Sequence, residues 1–549
     1  MDNSSKQTLE KIFGIFKTEK GQLNVAKFFK TLNDFGILND DPRVSPFLKR
    51  VKEFQEKHPA QLNLAAFLSL LDSTIEPLIV KAFSGKLIIP SFKEFKQLVE
   101  QVFEDVRDCK DGKAADYIPQ LARVDPDLWG LSVCTVDGQR FNLGDYEKTY
   151  TIQSTSKPFT YAMALDLYGS DYVQEYVSAE PSGEGFNEIC LDQANKPHNP
   201  MINAGAIVTS ALVRPDLNLA DRFEYMMTKF RKLSGGTYVG FNNSVYLSEK
   251  SVADRNFALG YYMKENECFP KNSSLKTILE FYFQLCSIET KCSAHCIMAG
   301  TLANGGVCPI TGEEVLDDIS VQHTLSLMLS CGMYDYSGQF AYKIGLPAKS
   351  GVSGSILVVI PNVMAICLYS PRLDKLGNSS RGLLFMEKLL KKVNLHQFDS
   401  DNNAAKIDPR GHINDINDLE KNTILQAAMT GDFEMLRRQF SNGADIDVRN
   451  VLGQTILHIA VAEENLRIVK YLVDVCEMDI RAKDTWDETP LDIAEKRGNS
   501  EISSFLRCRM IIKDLNNGEI ENQGGQLADL KDVNRVSVGS EDSGIVSAF

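Results

Sequence analysis

Apolar positions recur at helical spacing through the first part of the chain. Leu9, Ile12, Phe13 and Phe16 share a face, as do Val25, Phe28, Phe29 and Leu32, and segments 47–54 and 62–71 repeat the style. This predicts a packing or assembly domain of short amphipathic helices over residues 1–95. Over 96–406 strand patterns alternate with helical ones. The run from Trp129 to Val136 ends in the turn Asp137-Gly138, and Gln139-Arg140-Phe141-Asn142 leads back, which predicts a hairpin delivering the chain to Ser154. Apolar helices are predicted at 204–213, 275–285 and 299–302, strands at 356–360 and 363–368, and a last helix near 383–393. Strands at both ends with helices between them predict an α+β domain, an antiparallel sheet with a helical subdomain. After a linker at 407–421, Thr423-Ile424-Leu425, Thr455-Ile456-Leu457 and Thr489-Pro490-Leu491 open similar helical segments within 422–509. Their spacing is about 33 residues. The Asn-, Gly- and Asp-rich remainder, 510–549, is expected to be a disordered tail.

Two of these regions resemble known modules. The paired N-terminal helices are similar to EF-hands, but no loop carries the Asp/Asn ligands and closing Glu that calcium needs, and a loop starting at Asn39-Asp40-Asp41 lacks the sixth-position Gly. Period and signature of the C-terminal segments resemble ankyrin repeats, with Asn442-Gly443-Ala444-Asp445 as the turn and His458 as the repeat's own structural histidine.

Composition narrows the function classes. At 549 residues the chain divides into three or four domains. A net charge of -14 argues against general nucleic-acid or anionic-membrane binding. No run of 18 apolar residues occurs, so no membrane span is expected. The 12 cysteines form no small-domain framework, which suits a reducing compartment. Cys292, His295 and Cys296 look like a metal cluster but lie in an apolar helical pattern with no completing partner, so they read as core and no metal site is expected. Asp2, Glu10 and Glu19 interrupt any transit-like segment, and targeting is not readable.

Candidate chemistry centres on Gln153-Ser154-Thr155-Ser156-Lys157-Pro158. Ser and Lys at i and i+3 in a first helical turn lie one above the other, beside backbone N–H groups that lack intrahelical partners. Such a serine can be a nucleophile whose proton a desolvated, neutral lysine accepts. On most soluble helices the pattern is only a cap and a solvated cation. A second element changes that: Lys349-Ser350-Gly351 precedes a strand, and resembles the Lys-Thr-Gly strand that serine β-lactamases and penicillin-binding proteins pair with their Ser-x-x-Lys helix. The chain therefore reads as a serine amidohydrolase, with a β-lactamase/penicillin-binding-protein-like catalytic domain.

Further polar motifs complete a family pattern. They are Asp116-Tyr117-Ile118-Pro119-Gln120, Lys196-Pro197-His198-Asn199-Pro200-Met201-Ile202-Asn203-Ala204-Gly205, Ser248-Glu249, Asp254-Arg255-Asn256, Phe281-Tyr282-Phe283-Gln284, Gly332-Met333-Tyr334-Asp335 and Lys349-Ser350-Gly351-Val352. Together with Ser154 and Lys157 these resemble the phosphate-activated glutaminases, whose animal members also carry C-terminal ankyrin repeats. The resemblance implies hydrolysis of L-glutamine to L-glutamate and ammonia, with Ser154 as nucleophile, Lys157 as its base and Tyr334 as a proton relay. It places the oxyanion between the backbone N–H groups of Ser154 and Val352, and makes Tyr282 a substrate contact. Glu249 would pair with the substrate ammonium, and Asn203, Asn256 and the Tyr117 hydroxyl with its carboxylate. The stretch 181–190 aligns with the family's activation loop, where two glycines permit large backbone changes. Kidney-type enzymes carry a second aromatic where this chain has Cys190, which bears on inhibitors that wedge against aromatic side chains there. No cofactor is expected, inorganic phosphate is expected as activator, and a homotetramer able to form filaments is the family's assembly. Mitochondrial residence is the family expectation, with the cytoplasm as alternative. The rival functions are another Ser-x-x-Lys amidase or penicillin-recognising hydrolase, and a non-catalytic ankyrin scaffold. The ankyrin repeats are candidate protein-binding surfaces. The end Gly544-Ile545-Val546-Ser547-Ala548-Phe549 has the form a PDZ domain captures, although an ordinary disordered terminus is the preferred reading.

Overall fold

The computed structural model describes residues 3–18, 20–58, 62–185, 188–399, 406–410, 423–441, 444–449, 453–484 and 487–516. The chain divides into two compact units, 1–411 and 412–549. In the first unit, α1 (Asn3–Phe16), α2 (Val25–Asp34), α3 (Ser45–Lys57), α4 (Leu64–Leu70) and α5 (Ile75–Phe83) close around one aromatic centre. The Phe28 ring stacks on Phe83 at 5.5 Å and meets Phe16 and Phe67 edge-on at 5.4 and 5.8 Å. Side chains of Asn24 and Asn63 accept backbone N–H bonds and cap α2 and α4. The carboxylates at the Asn39-Asp40-Asp41 turn bind arginines: Asp41 takes a bidentate pair from Arg43, and Asp40 accepts from Arg140 at 3.0 Å. Arg43 also donates to the Asp137 carbonyl, and the Gln139 amide donates to the Phe35 and Ile89 carbonyls, so this turn fastens the helices to the next domain.

The predicted boundary at 95/96 falls inside a helix. In α6 (Phe92–Asp105) the face Phe92, Phe95, Val99, Val102 and Phe103 packs with Trp129, Phe141 and Phe385 of the following domain. The apolar spacing of this helix resembles that of the five before it, and only its partners distinguish it.

After the single turn α7 (Pro119–Ala122), β1 (Gly130–Thr135) and β2 (Arg140–Gly144) form the expected hairpin. There follow β3 (Thr149–Thr151), α8 (Lys157–Gln174), α9 (Asn203–Leu212), α10 (Leu219–Leu233), β4 (Val239–Phe241), α11 (Asn243–Ser251), α12 (Asp254–Glu265), α13 (Leu275–Cys286), β5 (Ile288–Lys291), α14 (Cys292–Ala303), α15 (Asp318–Cys331) and α16 (Ser337–Lys343). The domain closes with β6 (Ala348–Gly351), β7 (Ser355–Ile360), β8 (Met364–Tyr369) and α17 (Ser380–Lys392). The main sheet is antiparallel, in the order β2-β1-β8-β7-β6. Alternation explains its apolar runs: Ile356, Val358, Ile366 and Leu368 face the cluster of α6 and α17, while Leu357, Val359, Ala365 and Cys367 face the cluster of α8 and α14. A second sheet, β3-β5-β4, was not anticipated, its strands being only three or four residues long.

In the second unit, Thr455 caps the helix Ile456–Ala462 and Thr489 caps Pro490–Lys496. His458 takes a structural part, its Nδ1 3.1 Å from the Thr455 amide and its Nε2 3.1 Å from the Glu488 carbonyl oxygen. The helix Ser500–Asn516 runs past the expected end of the repeats at 509, so residues 510–516 are helical rather than tail. The turn residues Asn442 and Gly443, most of the linker, and the terminal Gly544-to-Phe549 motif lie outside the described residues.

Candidate active site

The chain reaches Ser154 along a pinned path. β3 pairs with β5, the Ile152 amide donates to the Ile288 carbonyl at 2.9 Å, and a 3₁₀ turn, Gln153–Ser156, precedes α8. Ser154 thus sits in a tighter turn ahead of the α-helix rather than within it. Gln153 has φ of 50°, a left-handed conformation unusual for a non-glycine and costing about 1–3 kcal/mol. The turn is tied internally, by Thr155 Oγ1 to the Ile152 carbonyl (2.5 Å) and Ser156 Oγ to the Gln153 carbonyl (2.7 Å).

A cavity of about 340 Å³ opens beside Ser154. Tyr117, Asn203, Glu249, Asn256, Tyr282, Tyr334 and Val352, far apart in sequence, all line it with Ser154. Asn203 opens α9, Glu249 lies near the end of α11, Asn256 is in the first turn of α12, Tyr282 is on α13, and Val352 follows β6. Tyr334 starts a short 3₁₀ turn with φ of 54°. Gln153, Arg255 and Cys286 also line the cavity and were not singled out from sequence. Two of them had a signal, since Gln153 adjoins Ser154 and Arg255 lies between two residues of a recognised motif.

Lys157 is the electrostatic centre. Its Nζ donates to Ser154 Oγ at 3.1 Å and to Asn203 Oδ1 at 2.7 Å. Burial brings its pKa down to about 8. Asn203 Oδ1 also accepts from the Tyr282 hydroxyl at 3.2 Å, and Asn203 Nδ2 points toward Asn256 Oδ1 at 3.5 Å. With its oxygen occupied, Asn203 presents N–H to the cavity. Burial pushes the Tyr334 hydroxyl up to about 12, against a hydrogen bond with Ser154 that pulls the other way. Burial raises the Glu249 carboxyl too, while hydrogen bonds from Tyr117 and Gln153 oppose the shift. The Tyr117 hydroxyl, expected to face a substrate carboxylate, donates to Glu249 Oε1 at 2.6 Å. Its ring is still half-exposed at the cavity rim.

Lys349 is fully buried one layer behind. Its Nζ donates to the Gly332 and Ser350 carbonyls at 3.0 and 2.9 Å and lies 4.5 Å from the centre of the Tyr334 ring. Burial, then the charge of Lys157, hold its pKa well below the ordinary lysine value. On the other side of Tyr334, residues Pro181–Gly185 of the anticipated loop line a second cavity of about 500 Å³ with Asn199, Met201, Cys331 and Asp335. Phe186 and Asn187 lie outside the described residues. Cys292 and Cys296 are core residues, with Sγ on the carbonyls of Cys367 and of Ser132 and Ala365. Among the described residues no group of three His, Cys, Asp or Glu side chains is arranged to hold a metal ion, and no helix is long and apolar enough to cross a membrane.

Comparison with known proteins agrees with this geometry. The glutaminase family profile matches residues 112–398, which hold every one of these cavity residues. This chain belongs to the glutaminase family. It is accordingly an amidohydrolase. The mitochondrial liver isoform of glutaminase from Rattus norvegicus is 43% identical over 489 residues, covering 88% of this chain and 81% of that one. A glutaminase from Nostoc sp. is 43% identical over 304 residues, 55% of this chain and 90% of that one. The crystal structure of Mglu in its native form superposes with a TM-score of 0.51 at 34% identity, over 55% of this chain and 72% of that one. Mglu in its tris and glutamate form gives 0.52 at 34% identity, over 56% and 68%. The flanking modules match as well, an EF-hand domain at 8–90 and three ankyrin copies at 424–517. The first of these ends just ahead of α6, in line with the packing of that helix.

Proposed function

We propose that this glutaminase converts L-glutamine to L-glutamate and ammonia through an acyl-enzyme on Ser154. The observation that carries the reading is the Lys157 amine, buried, 3.1 Å from Ser154 Oγ and with a pKa brought down to about 8. Neutral Lys157 takes the Ser154 proton as Oγ attacks the side-chain amide carbon. The backbone N–H groups of Ser154 and Val352 hold the oxyanion. The nitrogen takes a proton from the Lys157 ammonium, with Tyr334 as relay, and leaves as ammonia. A water then gives its proton to Lys157 and attacks the ester, and Lys157 returns that proton to Ser154 Oγ as the ester bond breaks, releasing glutamate and free Ser154. Glu249 receives the substrate ammonium, with Tyr117 orienting the Glu249 carboxylate, while the amides of Asn203 and Asn256 donate to the substrate's α-carboxylate and Tyr282 is a further substrate contact. Ser154→Ala is expected to fold normally and lose turnover by about 10⁴-fold or more. Near-normal glutamate production by the purified variant would overturn the mechanism.

Residence in mitochondria is supported by the liver isoforms and is checked by organelle fractionation. Activation by inorganic phosphate and assembly into tetramers or filaments are read from the family resemblance. Activity and sedimentation with and without phosphate test both. The three ankyrin copies support a protein-binding role for the second unit.

A further inference from the structure

His295 of α14 has no exposed surface and is enclosed by the rings of Tyr150 and Phe159 at 5.9 and 6.2 Å. An imidazole in so apolar a cluster costs desolvation unless both nitrogens are bonded. Both are: Nδ1 lies 3.1 Å from the Tyr150 hydroxyl and Nε2 lies 3.2 Å from Thr155 Oγ1. The direction of this chain of bonds can be worked out. Thr155 Oγ1 has one proton, and at 2.5 Å from the Ile152 carbonyl that proton is committed to the carbonyl. Thr155 therefore accepts, and His295 Nε2 carries the N–H. Burial holds the ring neutral, its pKa down to about 3, so Nδ1 is a bare acceptor for the Tyr150 O–H. The Tyr150 oxygen in turn lies 3.3 Å from Cys367 Sγ, whose S–H it can accept. The run Cys367 to Tyr150 to His295 to Thr155 to Ile152 is satisfied in one direction only.

It ends in the turn that carries Ser154. A Cβ added to Gly351 would stand 3.0 Å from the Ile152 carbonyl oxygen and 3.2 Å from Thr155 Cγ2, so the strand leading to Val352 seats on the same two residues. Whatever fixes Thr155 against Ile152 fixes Ser154 relative to Val352.

We propose that His295 is a positioning residue for the glutaminase reaction: as a neutral Nε2–H tautomer it bridges Tyr150 to Thr155 and holds in register the two backbone N–H groups, of Ser154 and Val352, that receive the oxyanion. This rests on the acyl-enzyme reading above. The bond it supplies acts on the transition state rather than on glutamine binding, because it touches nothing in the cavity.

The test uses the full-length protein with His295→Leu, His295→Gln and the near-isosteric Thr155→Val, together with glutamyl-adduct formation on Ser154 in the unaltered enzyme. His295→Leu and Thr155→Val are each expected to lower kcat by about 10–100-fold with KM within about twofold. The double variant should be no worse than the more damaging single one. Gln, whose amide N–H can reach Thr155, should restore most of kcat. Where His295→Leu does not fold, His295→Asn, whose shorter amide does not reach Thr155 and leaves the Thr155 to Ile152 bond in place, takes its part in the test. Unchanged kcat in the folded variants, or equal loss in Gln and Leu, overturns the proposal. If the unaltered enzyme forms the adduct in the same experiment, the acyl-enzyme reading survives that failure; if it forms none, that reading fails by itself.

Discussion

Lys157, behind the turn that carries Ser154, and Lys349, on the strand facing that turn, are both withdrawn from water, and burial lowers the pKa of both. Their partners differ. Lys157 meets a hydroxyl and a side-chain amide oxygen at the edge of the cavity, whereas Lys349 donates to two backbone carbonyls and covers the back of the Tyr334 ring. An amine needs a proton source in front of it to serve as a base, and only Lys157 has one. Burial therefore makes each lysine easier to neutralise, and the neighbouring acceptor or donor decides whether that neutrality does chemistry or structure. The comparison also predicts opposite costs: Lys349 ties together two buried carbonyls, of Ser350 and of Gly332 (the latter also accepting from the Ser350 amide), while Lys157 is kept at the expense of stability.

Substitution of each lysine by methionine separates the two roles. Lys157→Met should lower kcat by about 10³–10⁶-fold while leaving thermal stability unchanged or raised, read from steady-state kinetics and a melting curve. Combined with Ser154→Ala it should add little, since the pair acts as a unit. Glu249→Gln should reduce kcat/KM by about 2–5 kcal/mol, the usual cost of truncating one partner of a desolvated charge pair. Lys349→Met should cost about 1–3 kcal/mol of stability, measured by denaturant unfolding, with a smaller kcat loss through a loosened Tyr334. The pH effect is read on the unaltered enzyme. Below about pH 8 Lys157 gains a proton and cannot accept one, so kcat/KM should fall as pH falls through that value and level off above it. A profile flat from pH 6 to 9, on the order of a unit or more either side of that midpoint, would remove Lys157 as the base.

Much of the site was legible, the Ser154 and Lys157 pair from its spacing on a first helical turn and the remaining residues from the motifs that carry the family resemblance. Ser154 and the motifs around Asn203, Glu249 and Asn256 converge on one cavity, with Lys157 bonded to Ser154 and the Lys349-Ser350-Gly351 strand buried behind, leading to Val352 at the cavity wall. The antiparallel sheet was legible from short continuous apolar runs, its central strands being buried on both faces. Three things were not. The strands of the second sheet are too short for periodicity to register. Helix α6 has the same apolar spacing as its predecessors, so its allegiance to Trp129 and Phe141 appears only in packing. His295 was read as part of a buried core run, correctly as to burial, but its partners Tyr150 and Thr155 lie some 140 residues away in sequence. The Tyr117 hydroxyl is a related case, since a motif gives a residue's place in the cavity and not the direction of its hydrogen bond.

The central claim is the covalent bond to Ser154. The direct measurement is rapid acid quenching of the full-length enzyme with excess L-glutamine, followed by mass spectrometry of the peptide that contains Ser154 and timing of ammonia against glutamate. A glutamyl adduct on Ser154, with ammonia released ahead of glutamate in the first turnover and neither event in Lys157→Met, is the predicted result. Steady turnover with no adduct, and with ammonia and glutamate rising together from the first moment, would contradict it.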